Sequence, residues 1–113
     1  MSRILVIDSN TDFYPILLRK LDPLQAIIFF AETLDEAFRI LKREEVDFIS
    51  VSDILVGNNG DTIRRHLIDS GYRGPIIILS SNPCRKEKYV VDKCLSSKDF
   101  ISEIQIAINN YEV

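Results

Sequence analysis

Short apolar stretches of this chain end, one after another, in a small polar or charged residue. The stretches and the residues that follow them are Ile4–Ile7 before Asp8, Phe48–Val51 before Ser52 and Asp53, Ile76–Leu79 before Ser80, and Leu95 shortly before Lys98. Runs of this length that are rich in Val, Ile and Phe are typical of parallel strands buried on both faces. The polar residues are therefore predicted to gather at the carboxyl edge of one sheet, where open α/β sheets place their ligands and chemistry.

Five strands alternate with five helices in the pattern. The predicted strands are Arg3–Asp8, Ala26–Phe30, Asp47–Ser52, Pro75–Ser80 and Cys94–Ser97. The predicted helices begin near Asp12 to Tyr14 and close at Asp22-Pro23, then cover Leu34–Glu44, Asp61–Ser70, Cys84–Asp92 and Asp99–Tyr111. Helix ends are marked by a capping box at Thr33–Glu36, by Gly71 and by Asn82-Pro83. Strict alternation implies right-handed crossovers with helices on both faces of one sheet.

Composition narrows the class of protein. A chain of 113 residues with 46% hydrophobic and 27% charged residues is the size of one domain and has enough apolar residues for a core. The net charge of -3 gives no basic field for nucleic acid. No apolar stretch approaches the ~20 residues that span a bilayer, and Met1-Ser2-Arg3 leads directly into a strand. We expect a soluble, cytoplasmic protein that binds neither nucleic acid nor membranes.

The cysteines and the single histidine carry little chemical signal. Cys84 and Cys94 lack the spacing of a zinc or redox motif and are predicted to be reduced thiols. His66 lies in the middle of the third predicted helix beside Arg64 and Arg65, and it is predicted to be a surface residue. Neither residue type suggests a metal site or a nucleophile.

Four motifs together resemble a known family. They are Ile4-Leu5-Val6-Ile7-Asp8, Asp47-Phe48-Ile49-Ser50-Val51-Ser52 with Gly57 and Gly60 downstream, Pro75-Ile76-Ile77-Ile78-Leu79-Ser80-Ser81, and Ser97-Lys98-Asp99-Phe100. Over essentially its whole length the chain resembles the receiver domain of two-component response regulators. The resemblance implies a single flavodoxin-like α/β domain over residues 1–113, with three αβα layers and a five-stranded parallel sheet of order 2-1-3-4-5. It also implies a role in signal transduction and no enzymatic activity.

The resemblance implies a phosphorylation pocket in which several positions differ from the family. Receiver domains hold Mg²⁺ with two adjacent acids after the first strand and with an aspartate that ends the third strand and accepts a phosphoryl group. The positions that match this pocket are Asp8 for the first acid, Ser9 for the second, Ser52 for the acceptor in an alignment without gaps, Ser80 for the hydroxyl residue and Lys98 for the lysine. Asp99 stands where the family usually has proline. The pocket is therefore predicted to be vestigial.

The substitutions alter the expected chemistry. Mg²⁺ requires oxygen ligands in near-octahedral geometry, so Asp8 alone is predicted to bind it weakly. The hydroxyl of Ser52 is a poor phosphoryl acceptor because its pKa is high and no general base is evident beside it. Asp53 is one residue further along, and strand alternation aims it away from the pocket unless the strand has ended or carries a bulge. Asp8 and Asp53 are the only candidate metal ligands, and no cofactor is expected unless Asp53 works with Mg²⁺.

The leading hypothesis is a degenerate receiver that works as a protein-interaction module without phosphorylation. In this hypothesis Asp8 and Lys98 form a structural ion pair, assisted by the hydroxyls of Ser52 and Ser80. One alternative is a functional phospho-receiver that uses Asp53 with Mg²⁺. A further alternative is a small-ligand module at the carboxyl edge, although no Gly-rich phosphate loop follows the first strand.

An interaction face is predicted on the last helix. In relatives the fourth helix, fifth strand and fifth helix mediate pairing and output. The apolar positions of this face are Ile101, Ile104, Ile106, Ile108 and Tyr111. Ile106 falls outside the core-facing stripe of the helix, which favours a protein partner or a homodimer through this face.

Overall fold

The centre of the molecule is a five-stranded parallel sheet. The computed structural model describes residues 2–55 and 57–111. The strands of the sheet are β1 (Arg3–Ile7), β2 (Ile27–Ala31), β3 (Phe48–Ser52), β6 (Ile76–Ser80) and β7 (Val90–Asp92). Between β3 and β6 lies a short antiparallel hairpin of β4 (Ile54–Leu55) and β5 (Asn58–Asn59). The sheet order β2-β1-β3-β6-β7 confirms the predicted 2-1-3-4-5 topology, with β7 as the fifth strand.

Helices cover both faces of the sheet. They are α1 (Tyr14–Leu21), α2 (Leu34–Arg43), α3 (Gly60–Asp69) and α4 (Ser97–Asn109), with short 3-10 turns at Thr11–Phe13 and Asp22–Leu24. Two side-chain caps form, and the one at Thr33 is the predicted capping box. The side chain of Asn10 accepts from the N–H of Asp12 at 3.1 Å, and Thr33 Oγ1 accepts from the N–H of Glu36 at 3.2 Å. These bonds satisfy helical donors that have no partner inside the helix.

Alternating side chains of the strands supply two separate cores. On one face Ile4, Val6 and Ile77 pack with residues of α1 and α4, including the fully buried Phe100. On the other face the neighbouring strand positions pack with residues of α2 and α3. The two clusters explain why the strand sequences are apolar at almost every position, because both faces of the sheet are covered. The predicted three-layer αβα arrangement is therefore confirmed.

The fourth predicted helix, Cys84–Asp92, is wrong. Residues 81–89, all of which the structure describes, form turns and irregular chain instead of a helix. Their sequence is polar around Arg85–Lys88 and offers no apolar stripe that a helix would bury against the sheet. The end of this predicted helix is instead the edge strand β7, in which Val91 is 3% exposed.

The fifth predicted strand, Cys94–Ser97, is also wrong, because the edge strand is β7. Val90 and Val91 are the β-branched residues that pair with Ile78 and Leu79 of β6. Residues 93–96 then form the turn into α4, whose N-cap is Ser96. The sheet edge is thus reached four residues earlier in the chain than the sequence predicts, which moves every residue after it relative to the carboxyl edge.

The described residues include no helix that is long and apolar enough to cross a membrane.

Candidate functional site

A cavity of about 460 Å³ lies at the carboxyl ends of the central strands. Its lining includes Asp8, Ser9, Ser52, Asp53, Ser80 and Lys93. The crossover topology explains the grouping, because β1, β3 and β6 are neighbours and all end at this edge. Five of the six residues that the sequence suggests for a vestigial pocket therefore line this cavity. The exception is Lys98.

Asp53 turns into the cavity. β3 ends at Ser52, so the alternation that would aim Asp53 away no longer applies. The backbone N–H of Asp53 still bonds to the carbonyl of Leu79 at 2.9 Å, while Oδ2 of its carboxylate accepts from Ser80 Oγ at 2.7 Å. The sequence left open whether the strand ends before Asp53. In the structure it does.

The second oxygen of Asp53 is bound by an arginine that the sequence analysis did not single out. Arg85 Nη1 donates to Asp53 Oδ1 at 2.8 Å. The same guanidinium forms two bonds to the carboxylate of Asp61, at 3.0 and 3.1 Å, and one from Nε to Glu87 at 3.0 Å. The hydrogen bond to Glu87 is the largest cause that raises the pKa of Arg85 above its ordinary value, followed by the interactions with Asp61 and the charge of Asp53. Arg85 is a fixed cation at the edge of the cavity.

Asp8 is a buried acid with local polar partners. Its residue is 3% exposed, and Oδ1 accepts from the N–H of Asn10 at 2.9 Å. Burial raises the pKa of the Asp8 carboxyl above its ordinary value, while the Asn10 bond and the nearby charge of Lys93 act in the opposite direction. The backbone carbonyl of Asp8 accepts from Tyr14 Oη at 2.6 Å, which ties the end of β1 to the start of α1.

Ser52 and Gly60 fix the chain where β3 leaves the sheet. Ser52 is 4% exposed, and its hydroxyl donates to the carbonyl of Ile54 at 3.0 Å. The N–H of Gly60 donates to the carbonyl of Asp53 at 3.0 Å. A Cβ on Gly60 would lie 2.9 Å from the Ser52 carbonyl oxygen and 3.1 Å from Asp53 Cα. Glycine is therefore required here by the close approach of two backbones.

The lysine that lines the cavity is Lys93. The lysine that the sequence predicts for the pocket, Lys98, lies outside it. Lys98 is exposed in the first turn of α4. Lys93 follows β7 directly and lines the cavity, and its Nζ also lies 4.6 Å from the centre of the Phe13 ring. The sequence signal for Lys93 is weak, because the apolar run that precedes it is only Val90-Val91. The predicted ion pair of Asp8 with Lys98 is replaced by a charge interaction of Asp8 with Lys93.

The predicted interaction face is mostly core. Ile104 is 1% exposed, and Ile101 and Ile108 pack against the cluster of α1 and α4. Tyr111 packs against the cluster of α2 and α3. Ile106 is 50% exposed and remains a surface residue of α4. The face also lacks the fourth helix that the prediction assigned to it.

The remaining candidates lie on the surface. Cys84 and Cys94 are exposed free thiols, and His66 is exposed on α3. Among the described residues, His, Cys, Asp and Glu side chains form no group of three or more that could hold a metal ion.

Solved structures of receiver domains share this fold. A two-component response regulator from Clostridium difficile matches with a TM-score of 0.78 and 17% identity, covering 97% of this chain and 98% of that one. The signal receiver domain of an HD domain-containing protein from Pseudomonas fluorescens matches with a TM-score of 0.78 and 20% identity, covering 96% and 94%. The response regulator TrrA from Thermotoga maritima, in complex with Mg²⁺ and BeF, matches with a TM-score of 0.80 and 18% identity, covering 95% and 99%.

The sequence itself gives no such match. No family model matches the chain, and no curated protein is significantly similar to it. The structural likeness extends over almost the whole chain at low identity, so it is a likeness of fold. The chain has the fold of response regulator receiver domains.

Proposed function

We propose that this chain is a receiver-fold module of signal transduction that works without aspartyl phosphorylation and acts by contacting protein partners. The single observation that carries the proposal is the state of Asp53. This carboxylate is placed at the carboxyl edge, but Ser80 and Arg85 bind its two oxygens at 2.7 and 2.8 Å. A nucleophile held in this way must break two hydrogen bonds before it can attack, one of them to a cation.

The charge balance of the site supports the same proposal. Arg85 is a permanent cation whose side chain is 15% exposed, and it places a positive charge from within the chain against the Asp53 carboxylate. In a phosphorylated receiver this balance would depend on a metal ion and a phosphoryl group. Here Arg85 supplies a positive charge at Asp53 that requires neither of them.

The side chains that line the cavity are also a poor set of ligands for Mg²⁺. Asp8 faces the cavity without a neighbouring acid, because Ser9 follows it. The hydroxyl of Ser52 donates its proton to a backbone carbonyl, and the carboxylate of Asp53 is bound by Arg85. Mg²⁺ normally needs one or two free carboxylates with water or phosphate oxygens. The residues of the cavity therefore do not fit a Mg²⁺ site.

A second candidate function is a phospho-receiver that uses Asp53, because this residue shares the cavity with Ser80, Asp8 and Lys93. The two candidates are separated by incubating the protein with acetyl phosphate and Mg²⁺ and measuring its intact mass. The proposal predicts no added phosphoryl group, whereas a receiver with an intact acid pair, used as a positive control, gains one. A Mg²⁺-dependent gain that disappears in Asp53→Asn contradicts the proposal and establishes the second candidate.

The partner surface that we favour includes Ile106 of α4, which is 50% exposed. If the partner is a second copy of the chain, light scattering at rising concentration will show a dimer that Ile106→Asp abolishes. A strict monomer at high concentration excludes the homodimer and leaves a different protein as the partner.

A further inference from the structure

The chain between β6 and β7 needs a source of order other than burial. Within residues 81–89, which are all described, no residue is buried. Its backbone bonds are mainly short-range turns, such as Arg85 N–H to the Asn82 carbonyl at 3.2 Å and Val90 N–H to the Glu87 carbonyl at 3.0 Å. A segment with so few buried contacts is expected to open readily unless side chains fasten it.

Arg85 supplies that fastening. Its guanidinium binds Asp53 at the end of β3, Asp61 in the first turn of α3 and Glu87 within its own segment. The contact with Asp61 is a fork, with Nη1 to Oδ2 at 3.0 Å and Nη2 to Oδ1 at 3.1 Å, which is the strongest and most directional form of an ion pair. One side chain thus joins segment 81–89 to the end of β3 and to the first turn of α3.

Both Arg85 and its acidic partners keep their charges in this arrangement. Hydrogen bonding from Arg85 lowers the pKa of the Glu87 carboxyl, so this acid stays charged. Asp61 lies at the amino end of α3, where the helix dipole stabilises a negative charge. Arg85 cannot lose its own proton at any ordinary pH. The network therefore consists of charges that persist.

We propose that Arg85 is an internal latch that holds segment 81–89 against the carboxyl edge of the sheet. The inference rests on the proposed function, in which this edge is controlled by the chain itself and not by a phosphoryl group. When the latch is closed, Arg85 forms one wall of two neighbouring cavities of about 510 and 460 Å³ that run toward α4. Both cavities also include Lys86, Val90 and Glu103. Opening the latch changes the shape of this surface, so a partner that binds the surface is sensitive to the state of Arg85.

The test is amide hydrogen exchange measured by NMR in buffer without Mg²⁺ or a phosphodonor. The reporters are the amides of Arg85 and Val90, and the amides of the central strands show whether the protein stays folded. In Arg85→Gln we expect exchange at both reporters to be faster by about tenfold, with unchanged exchange in the central strands. Asp61→Asn removes the fork from the other side and is expected to give a smaller acceleration at the same reporters.

Lys88→Gln is the matched control, because it removes the same charge from an exposed residue of the same segment. The latch predicts that Lys88→Gln leaves both reporters unchanged. Exchange in Arg85→Gln that equals the wild-type rate, or an equal acceleration in Lys88→Gln, overturns it. This result is independent of the acetyl phosphate assay, since phosphorylation of Asp53 would refute the proposed function without altering exchange in phosphodonor-free buffer.

Discussion

Two regions of this molecule are ordered by different forces. In β3 and β6 every residue is buried, and both faces of the sheet pack against helices. In residues 81–96, which the structure describes throughout, Val91 is the one buried residue. The first region is held by apolar burial that is visible in the sequence pattern. The second is held by hydrogen bonds and ion pairs between its own residues and other parts of the chain.

Two long cationic side chains provide such contacts. Arg85 joins its segment to Asp53 and Asp61. Lys20 of α1 reaches the turn after β7, where its Nζ donates to the carbonyls of Lys93 and Leu95 at 2.7 and 2.9 Å. The site therefore depends on both regions. Its acids, Asp8 and Asp53, follow strands of the sheet, and its cations, Arg85 and Lys93, belong to residues 81–96.

The largest expected effect comes from the core. Phe100 of α4 is fully buried, and Phe100→Ala is expected to destabilise the protein by about 3–5 kcal/mol through loss of burial and formation of a cavity. Because both cores pack on the same sheet, unfolding should remain one cooperative transition in urea. Phe100→Leu is the milder variant, with an expected cost of about 1 kcal/mol. Equal losses of stability in Phe100→Ala and Arg85→Gln would mean that the two regions do not differ as described.

A smaller effect is expected where the two backbones meet beside the site. Gly60→Ala places a methyl group 2.9 Å from the Ser52 carbonyl oxygen, so the end of β3 and the start of α3 must separate. We expect a loss of about 1–3 kcal/mol in urea denaturation, together with NMR shifts at Asp53. Gly57→Ala is the comparison, because its Cβ would meet nothing within 4 Å and its φ of +72° costs about 1 kcal/mol in strain alone. Shifts at Asp53 that are as large in Gly57→Ala would contradict the close approach.

The pH dependence of stability tests Asp8, the buried acid that follows β1. The folded-state pKa of Asp8 is raised above its ordinary value of 3.8, so the folded protein binds this proton more tightly than the unfolded chain does. The contribution of Asp8 to stability is therefore full below about pH 3.8 and is lost as pH rises through the folded-state pKa.

Asp8→Asn should remove this pH dependence. We expect a gain of about 1 kcal/mol at pH 7, because the variant keeps an oxygen for the Asn10 N–H and buries no charge. Urea denaturation of both proteins across the acid range gives the difference as a function of pH. A difference that does not change with pH would show that Asp8 has the same proton affinity in the folded and unfolded states.

The smallest effects distinguish the two lysines. Lys93→Gln removes a positive charge near Asp8, so the NMR titration of the Asp8 carboxyl should move to higher pH. Lys98→Gln removes an exposed charge from the first turn of α4 and should leave this titration unchanged, with stability altered by less than about 0.5 kcal/mol. A shift of the Asp8 titration in Lys98→Gln and not in Lys93→Gln would restore the role that the sequence assigned to Lys98.

The parts of the fold that follow from apolar runs could be predicted from the sequence. β1, β3 and β6 begin and end within one residue of their predicted bounds, because continuous burial requires continuous apolar sequence. β7 could not be found in this way, since its apolar run is only Val90-Val91 and a polar stretch precedes it. Because the fifth strand was predicted too late in the chain, the predicted site included Lys98 in place of Lys93.

The site was predictable only in part. Asp8, Ser52 and Ser80 follow directly from the ends of the buried strands. The orientation of Asp53 depends on whether β3 ends at residue 52 or 53, and strand alternation alone cannot decide that. Arg85 left no signal, because a long side chain from an irregular segment is placed by tertiary contacts and not by periodicity.

The central claim is that internal hydrogen bonds and ion pairs already occupy the Asp53 carboxylate. The most direct measurement is a titration with beryllofluoride and Mg²⁺ followed by backbone NMR, since this complex mimics an acyl phosphate only where a free carboxylate and a metal site occur together. The account predicts no saturable shifts at millimolar concentrations, at Asp8, Asp53, Ser80 or Lys93. Saturable shifts centred on these residues would contradict it and would identify a working phosphorylation switch.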